Sequence, residues 1–286
     1  MVYKDKKLHT HTMTWMYSFV TILGIATMRC TLVKYLLLIA FLTHSPFALS
    51  FDHSHAPFSA VLKDYLNSQG MVNYKKLKED TKKDSGHIFN KYLADLQKVS
   101  FAEYEKWDKN KKMAFLINAY NAFTLKLIIK HYPVKSIKKI GGVLTKPWDV
   151  EFFSLLDGKL KTLDPIEHEW LRPIFKDYRI HAAVNCASIS CPPLRHEAFV
   201  AEKLDAQMDE QMTTWLTDPT RNKIKTDAKS IELSKIFDWY KDDFVEWGGG
   251  IPKVLAKYLK TGATEQALSK KKIKYMNYSW DLNEYR

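Results

Sequence analysis

Cysteine is scarce in this sequence, with three residues in 286, at positions 30, 186 and 191. That is too few for a disulfide framework. Glycine and proline, ten each, are not enriched, which excludes fibrous and low-complexity classes. Long apolar runs are missing too. A membrane-spanning helix needs roughly 20 apolar residues, and Arg29 and Lys34 interrupt the two candidates at 15–27 and 35–42. The sequence has no glycine-rich phosphate loop, no HExxH and no GxSxG. Nucleotide, zincin and α/β-hydrolase readings therefore lack support, and no cofactor is expected. Acidic residues are in deficit, 32 against 44 Lys and Arg, for a net charge of +12. That balance favours anionic partners, but the lysines are scattered, and their tightest groups are 109–112 and 270–274. What remains is ample core material: 46% hydrophobic residues, 13% of the chain aromatic, enough for one large domain.

The amino-terminal stretch has a targeting pattern. Residues 28–50 open with Arg29 and Lys34, continue through an apolar core at 35–42 and end in small residues at Ala48 and Ser50. This predicts a secretory signal peptide cleaved after Ser50, with Met28 as its natural start. An uncleaved anchor is the disfavoured rival. The domain plan is thus a leader, 1–50, and one globular domain, 51–286, in an exported protein, periplasmic or secreted. Export argues against nucleic acid as the partner. A small molecule, a peptide or an envelope ligand is expected instead, with peripheral contact to an anionic envelope surface.

Helical spacing dominates the mature chain. Apolar positions predict helices over 56–66, closed by Gly70, and over 88–99. Ser100 and Glu103 form a capping-box pattern. Residues 111–131 give the longest helical signal. They are apolar on nearly every side, which predicts a buried central helix. Asn118, Asn121 and Thr124 interrupt it on one stripe, so that stripe must face polar groups, either adjacent loops or a site. Residues 148–156 read as a strand that turns at Asp157-Gly158 and returns over 159–163. Asp164, Pro165 and Glu167 mark a helix start, and that helix carries His168. A long helix is expected over 197–216, a second hairpin over 223–233 and a last strand over 273–283. The fold class is α+β: a mainly helical single domain with a small, largely antiparallel sheet and a buried central helix.

Residues 179–194, RIHAAVNCASISCPPL, are the focus. Ile180, Ala182 and Val184 alternate with His181, Ala183 and Asn185, the period of a strand. Cys186 opens a small-residue turn that Cys191-Pro192-Pro193 ends. A histidine, an amide and a thiol gather where such an element finishes, a common place for a site. This motif stands with FLINAYNAFTLKLI, LDPIEHEWLR, LSKIFDWYKDDF and YSWDLN. Together and in this order they resemble the domain-of-unknown-function 547 family, over a span from about Ala56 to the carboxyl end. The resemblance implies a domain and no particular reaction. It puts Asn118, Asn121, Glu167, His168, Arg179, His181, Cys186 and Cys191 at motif positions.

Two readings of the chemistry stay open. In the first, Cys186 is the nucleophile of a thiol-dependent hydrolase or acyltransferase. His168 or His181 moves the proton, and Glu167, Asn118 or Asn121 orients the histidine. On a regular strand His181 and Cys186 would face apart, which favours His168. Asn121, Arg179 and Cys191 are the expected ligand-binding residues. In the second, Cys186 and Cys191 pair as a disulfide that pins a turn worth about 2 kcal/mol. The protein is then a non-catalytic binding or scaffold module. His168, His181, Cys186 and Cys191 also sum to a zinc set, but they lack CxxC-type spacing, and no metal is assigned.

Overall fold

The central helix, Lys109–His131, is where expectation and structure agree best. In this computed structural model, which describes residues 50–142, 144–225, 227–259 and 261–285, Asp108 caps that helix by accepting the Lys111 N–H at 2.9 Å. Nearly every residue from Met113 to Ile129 is buried. Burial on all faces is what a helix without an amphipathic stripe requires. Helices Tyr74–Lys83 and Ile88–Lys98 pack against it, and so does the segment at 163–171. Their apolar faces build a first core. A second core gathers Trp215, Phe237, Phe244, Val254 and Leu255 around helix Leu204–Thr217. Residues 51–286 contain both cores and form one compact unit.

The sheet corrects the expected fold class. Among the described residues it consists of two short strands, β1 (Ser230–Leu233) and β2 (Lys272–Tyr275), and they are parallel, with Ser230 opposite Lys272 and Leu233 opposite Tyr275. Helices fill the connection between them, as a parallel crossover demands. The expected antiparallel hairpins shrink to isolated bridges. Lys223 meets Glu232, and Leu155 meets Leu160 across the Asp157-Gly158 turn. Trp148 lies in a 3-10 turn, Pro147–Asp149, rather than in a strand. Beyond β2 the described residues of the tail make single bridges, Ser188 with Leu282 and Val72 with Glu284.

Local corrections matter more for the site. Residues 180–185 are not a strand, because Ile180–Ala183 is one turn of helix. With no strand there, nothing in the backbone forces His181 and Cys186 to face apart. The expected start at Asp164 also moves. Helix begins at Leu163 without a side-chain cap, and Ile166–Leu171 winds as a π-helix before Arg172–Phe175 resumes the α form. Helix Leu204–Thr217 starts later than the expected 197. Gly70 closes a turn onto Asn67 instead of capping the first helix, which ends at Tyr65. Its φ of +71° and the Leu194 carbonyl 2.7 Å from a Cβ position leave room only for glycine.

The amino-terminal residues of this unit are tied down. The Phe51 ring packs edge-on against Phe115 and beside Trp107. Its N–H donates to Glu103 Oε1 at 2.9 Å. Ser100 caps the following helix as expected, accepting the Glu103 N–H at 3.1 Å, while the Glu103 carboxylate reaches Phe51. Of the expected leader, 1–50, residues 1–49 lie outside the described residues, and with them nearly all of the signal-peptide pattern. Among the described residues, no helix is long and apolar enough to cross a membrane.

Candidate functional site

A cavity of about 310 Å³ opens where the two cores meet, and Cys186, Cys191, Glu167, His168 and His181 all line it. Tyr120 of the central helix forms part of its lining. Trp148, Trp239, Tyr240, Tyr278 and Trp280 supply aromatic surface, with Lys146 and Asp164 among the polar lining. A larger groove of about 890 Å³, beside Gly70, Arg195 and Arg221, contains neither Cys186 nor the two histidines. The chemistry therefore belongs to the smaller cavity.

The loop that carries the thiols is held from three directions. Asn121 on the central helix donates to the Ala183 carbonyl at 2.9 Å and accepts the Asn185 N–H at 2.8 Å. Asn185 in turn donates to the Pro192 carbonyl and accepts the Ala187 N–H, both at 2.8 Å. Ala187 sits at φ +57°, a strained value for a residue with a side chain. From the carboxyl end, the tail accepts the Ile189 N–H at the Asp281 carbonyl, 2.8 Å, and donates the Ser279 N–H to Ser190 Oγ, 2.9 Å. This clasp delivers Tyr278 to the sulfur.

The two thiols are unlike. Both line the cavity, Cys186 half-buried and Cys191 buried. Their sulfurs lie 3.0 Å apart, and the Cys186 N–H donates to Cys191 Sγ at 3.1 Å. Ser188 Oγ and Tyr278 Oη stand 3.2 and 3.1 Å from Cys186 Sγ. Burial pushes the Cys186 thiol up, but hydrogen bonds from Cys191, Ser188 and Tyr278 outweigh it and hold the group below its ordinary value. Burial and the adjacent Cys186 push the Cys191 thiol well above.

A charged chain links the two histidines of the lining. His181 Nε2 meets Asp243 Oδ2 at 2.7 Å. Arg172 donates to both oxygens of Asp243, at 2.7 and 2.9 Å, and its third nitrogen meets His168 Nδ1 at 3.0 Å. Burial raises the Asp243 carboxyl, but His181 and Arg172 bring it down to about 2, so it is ionised throughout the ordinary pH range. Burial lowers His181 despite the carboxylate, which leaves a neutral imidazole near pH 7. The Tyr240 ring stacks on His181 with centroids 4.0 Å apart, and its hydroxyl donates to Glu167 Oε1 at 3.0 Å. The π-helix places Glu167 and His168 on the lining. A π turn inside an α-helix frequently marks a functional site.

Three expected site residues lie elsewhere. Asn118 exchanges hydrogen bonds with the Phe199 backbone, at 2.7 and 3.0 Å, away from the cavity. Asn121 acts on the loop from behind. Arg179 is clasped by Asp177, Asp205 and Asp209, and lines a different, shallow pocket. Sequence reasoning missed Arg172, Tyr240, Asp243 and Tyr278, though each stands inside one of the quoted motifs. Their residue types carried the signal: a tyrosine or a charged residue next to apolar positions.

Over residues 104–216 the chain matches the family described as Protein of unknown function, DUF547. The matched DUF547 segment contains the central helix, the π-helix and the cysteine loop. The motifs that supply Tyr240, Asp243 and Tyr278 lie beyond it, so the cavity is completed by residues outside the DUF547 match. The resemblance from Ala56 to the carboxyl end thus narrows to 104–216. No curated protein and no solved structure matches the chain. Among the described residues, no group of three or more His, Cys, Asp or Glu side chains is arranged to hold a metal ion.

Proposed function

We propose that the protein is an exported thiol-dependent hydrolase or acyltransferase with Cys186 as its nucleophile. One observation carries the reading: a half-buried sulfur at an aromatic-lined cavity, with Ser188, Tyr278 and Cys191 around it and its thiol held below the ordinary value. A thiolate is the reactive form, and this arrangement enriches it. The thiolate attacks an acyl carbon, the leaving group takes a proton, and water or an acceptor nucleophile then releases the acyl group. His181 is the base in this scheme. Asp243 occupies its Nε2, which leaves Nδ1 to exchange protons with a ligand. His168, half-exposed and coupled to Arg172, is the second proton carrier. Glu167 holds Tyr240 against His181.

Export and cleavage after Ser50 belong to the same proposal. Phe51, the first residue after the cut, is docked on Trp107 and Phe115 with its nitrogen on Glu103. The scaffold reading, with Cys186 and Cys191 permanently bridged, is the second possibility, favoured by the 3.0 Å separation of the sulfurs. A p-nitrophenyl ester series separates the two. Acyl transfer gives a burst of nitrophenol and an acyl adduct mapped to Cys186, both lost in Cys186→Ser. No burst and no adduct on the reduced protein would leave the scaffold.

A further inference from the structure

Acyl transfer asks of Cys191 no more than a hydrogen bond to the Cys186 sulfur, which needs no second thiol, yet the loop is built to hold one there. The Cys191 sulfur lies 3.0 Å from the Cys186 sulfur and receives the Cys186 N–H at 3.1 Å. That amide stabilises negative charge on Cys191 when its proton leaves. Asn121, Asn185 and the tail fix the backbone on both sides of the four intervening residues. Both residues line the cavity, but Cys186 is half-buried and Cys191 is buried. We propose that Cys186 and Cys191 form a dithiol–disulfide couple that exchanges with disulfides of peptides or small thiols entering the cavity.

The steps balance. The Cys186 thiolate attacks one sulfur of the incoming disulfide. The substrate S–S bond breaks, and the departing sulfur leaves as a thiolate that takes a proton from water. Cys191 then gives up its proton and attacks the Cys186 sulfur. The internal disulfide forms, the mixed disulfide breaks, and the second substrate sulfur leaves with a proton. The substrate gains two electrons and the couple loses two; a substrate dithiol runs the sequence backwards. Cys186 is the attacking sulfur because it is both the accessible one and the one with more thiolate. The inference goes beyond acyl transfer, since it needs only the two sulfurs and the cavity. In the oxidised state Cys186 has no thiolate to offer an ester.

The test is a redox titration of the purified protein in graded mixtures of glutathione and glutathione disulfide. Samples are quenched in acid, alkylated, and read by intact mass and peptide mapping. The wild type should pass from two alkylated thiols at 186 and 191 to an internal disulfide, with no lasting glutathione adduct. Cys191→Ser should accumulate glutathione on Cys186. Cys186→Ser should react more slowly than Cys191→Ser by on the order of ten-fold or more, since its remaining thiol is buried and protonated. A lasting adduct on the wild type without ring closure would overturn the proposal, as would equal rates in the two variants. A wild type that shows the ester burst but never closes the ring in the titration would reject the exchange and keep the acyl reading. Ring formation with no burst after reduction would do the reverse.

Discussion

Asp243 shows how much of the site rests on one carboxylate. It accepts from His181 and twice from Arg172, and Arg172 continues to His168. Breaking a buried pair costs more than never having built it, because the remaining charge is left uncompensated. Asp243→Asn should therefore lower stability by about 3 kcal/mol in urea denaturation. It should also slow the ester burst by about a hundred-fold or more, because His181 loses the partner that fixes its ring and tautomer. A variant that keeps full burst rate would remove His181 from the mechanism. Sequence gave the residue type but not the partnership. Asp243 and His181 are far apart in the chain, and only the fold sets them 2.7 Å apart.

At the scale of elements, the central helix governs the cysteine loop through one side chain. Asn121→Ala removes two buried hydrogen bonds and leaves the Ala183 carbonyl and the Asn185 N–H without them. The expected cost is about 2 kcal/mol. The loop should loosen with it, and the Cys186 thiol should move up toward its ordinary value. Iodoacetamide rates measured across pH would report that midpoint; an unchanged midpoint would show that the tail alone positions the sulfur. The asparagine stripe was visible in sequence because amides in an apolar helix need partners. The identity of those partners was not visible. The strand expected at 180–185 failed for a related reason. Ile180, His181, Ala182 and Ala183 are all buried, and where every face is covered, alternation carries no information. The π-helix left no trace in residue spacing.

For the whole molecule, buried histidines set the response to acid. His55 is fully enclosed, with Nδ1 2.7 Å from Tyr92 Oη, and burial lowers it to about 3. Burial lowers the enclosed His181 as well. A histidine with a lowered folded value binds its proton more readily once unfolded. Its contribution to stability is thus complete above about pH 6.5 and is lost as pH falls toward the folded value. Each such group adds a slope of up to about 1.4 kcal/mol per pH unit in that window. Urea midpoints should fall steadily between about pH 6.5 and about pH 4, and His55→Gln should flatten the slope by up to one proton. A midpoint independent of pH across that window would contradict the enclosed, neutral state of His55.

The helical majority, the buried central helix and the cysteine loop as a focus were legible in the chain alone, because composition, period and turn residues act within one segment. Folding in three dimensions made β1 and β2 parallel, brought His181, Glu167 and His168 to one cavity with Cys186, and left Asn118 and Arg179 outside it. Those outcomes depend on contacts between segments distant in the chain. Local preference does not encode which distant segment a buried polar group will find.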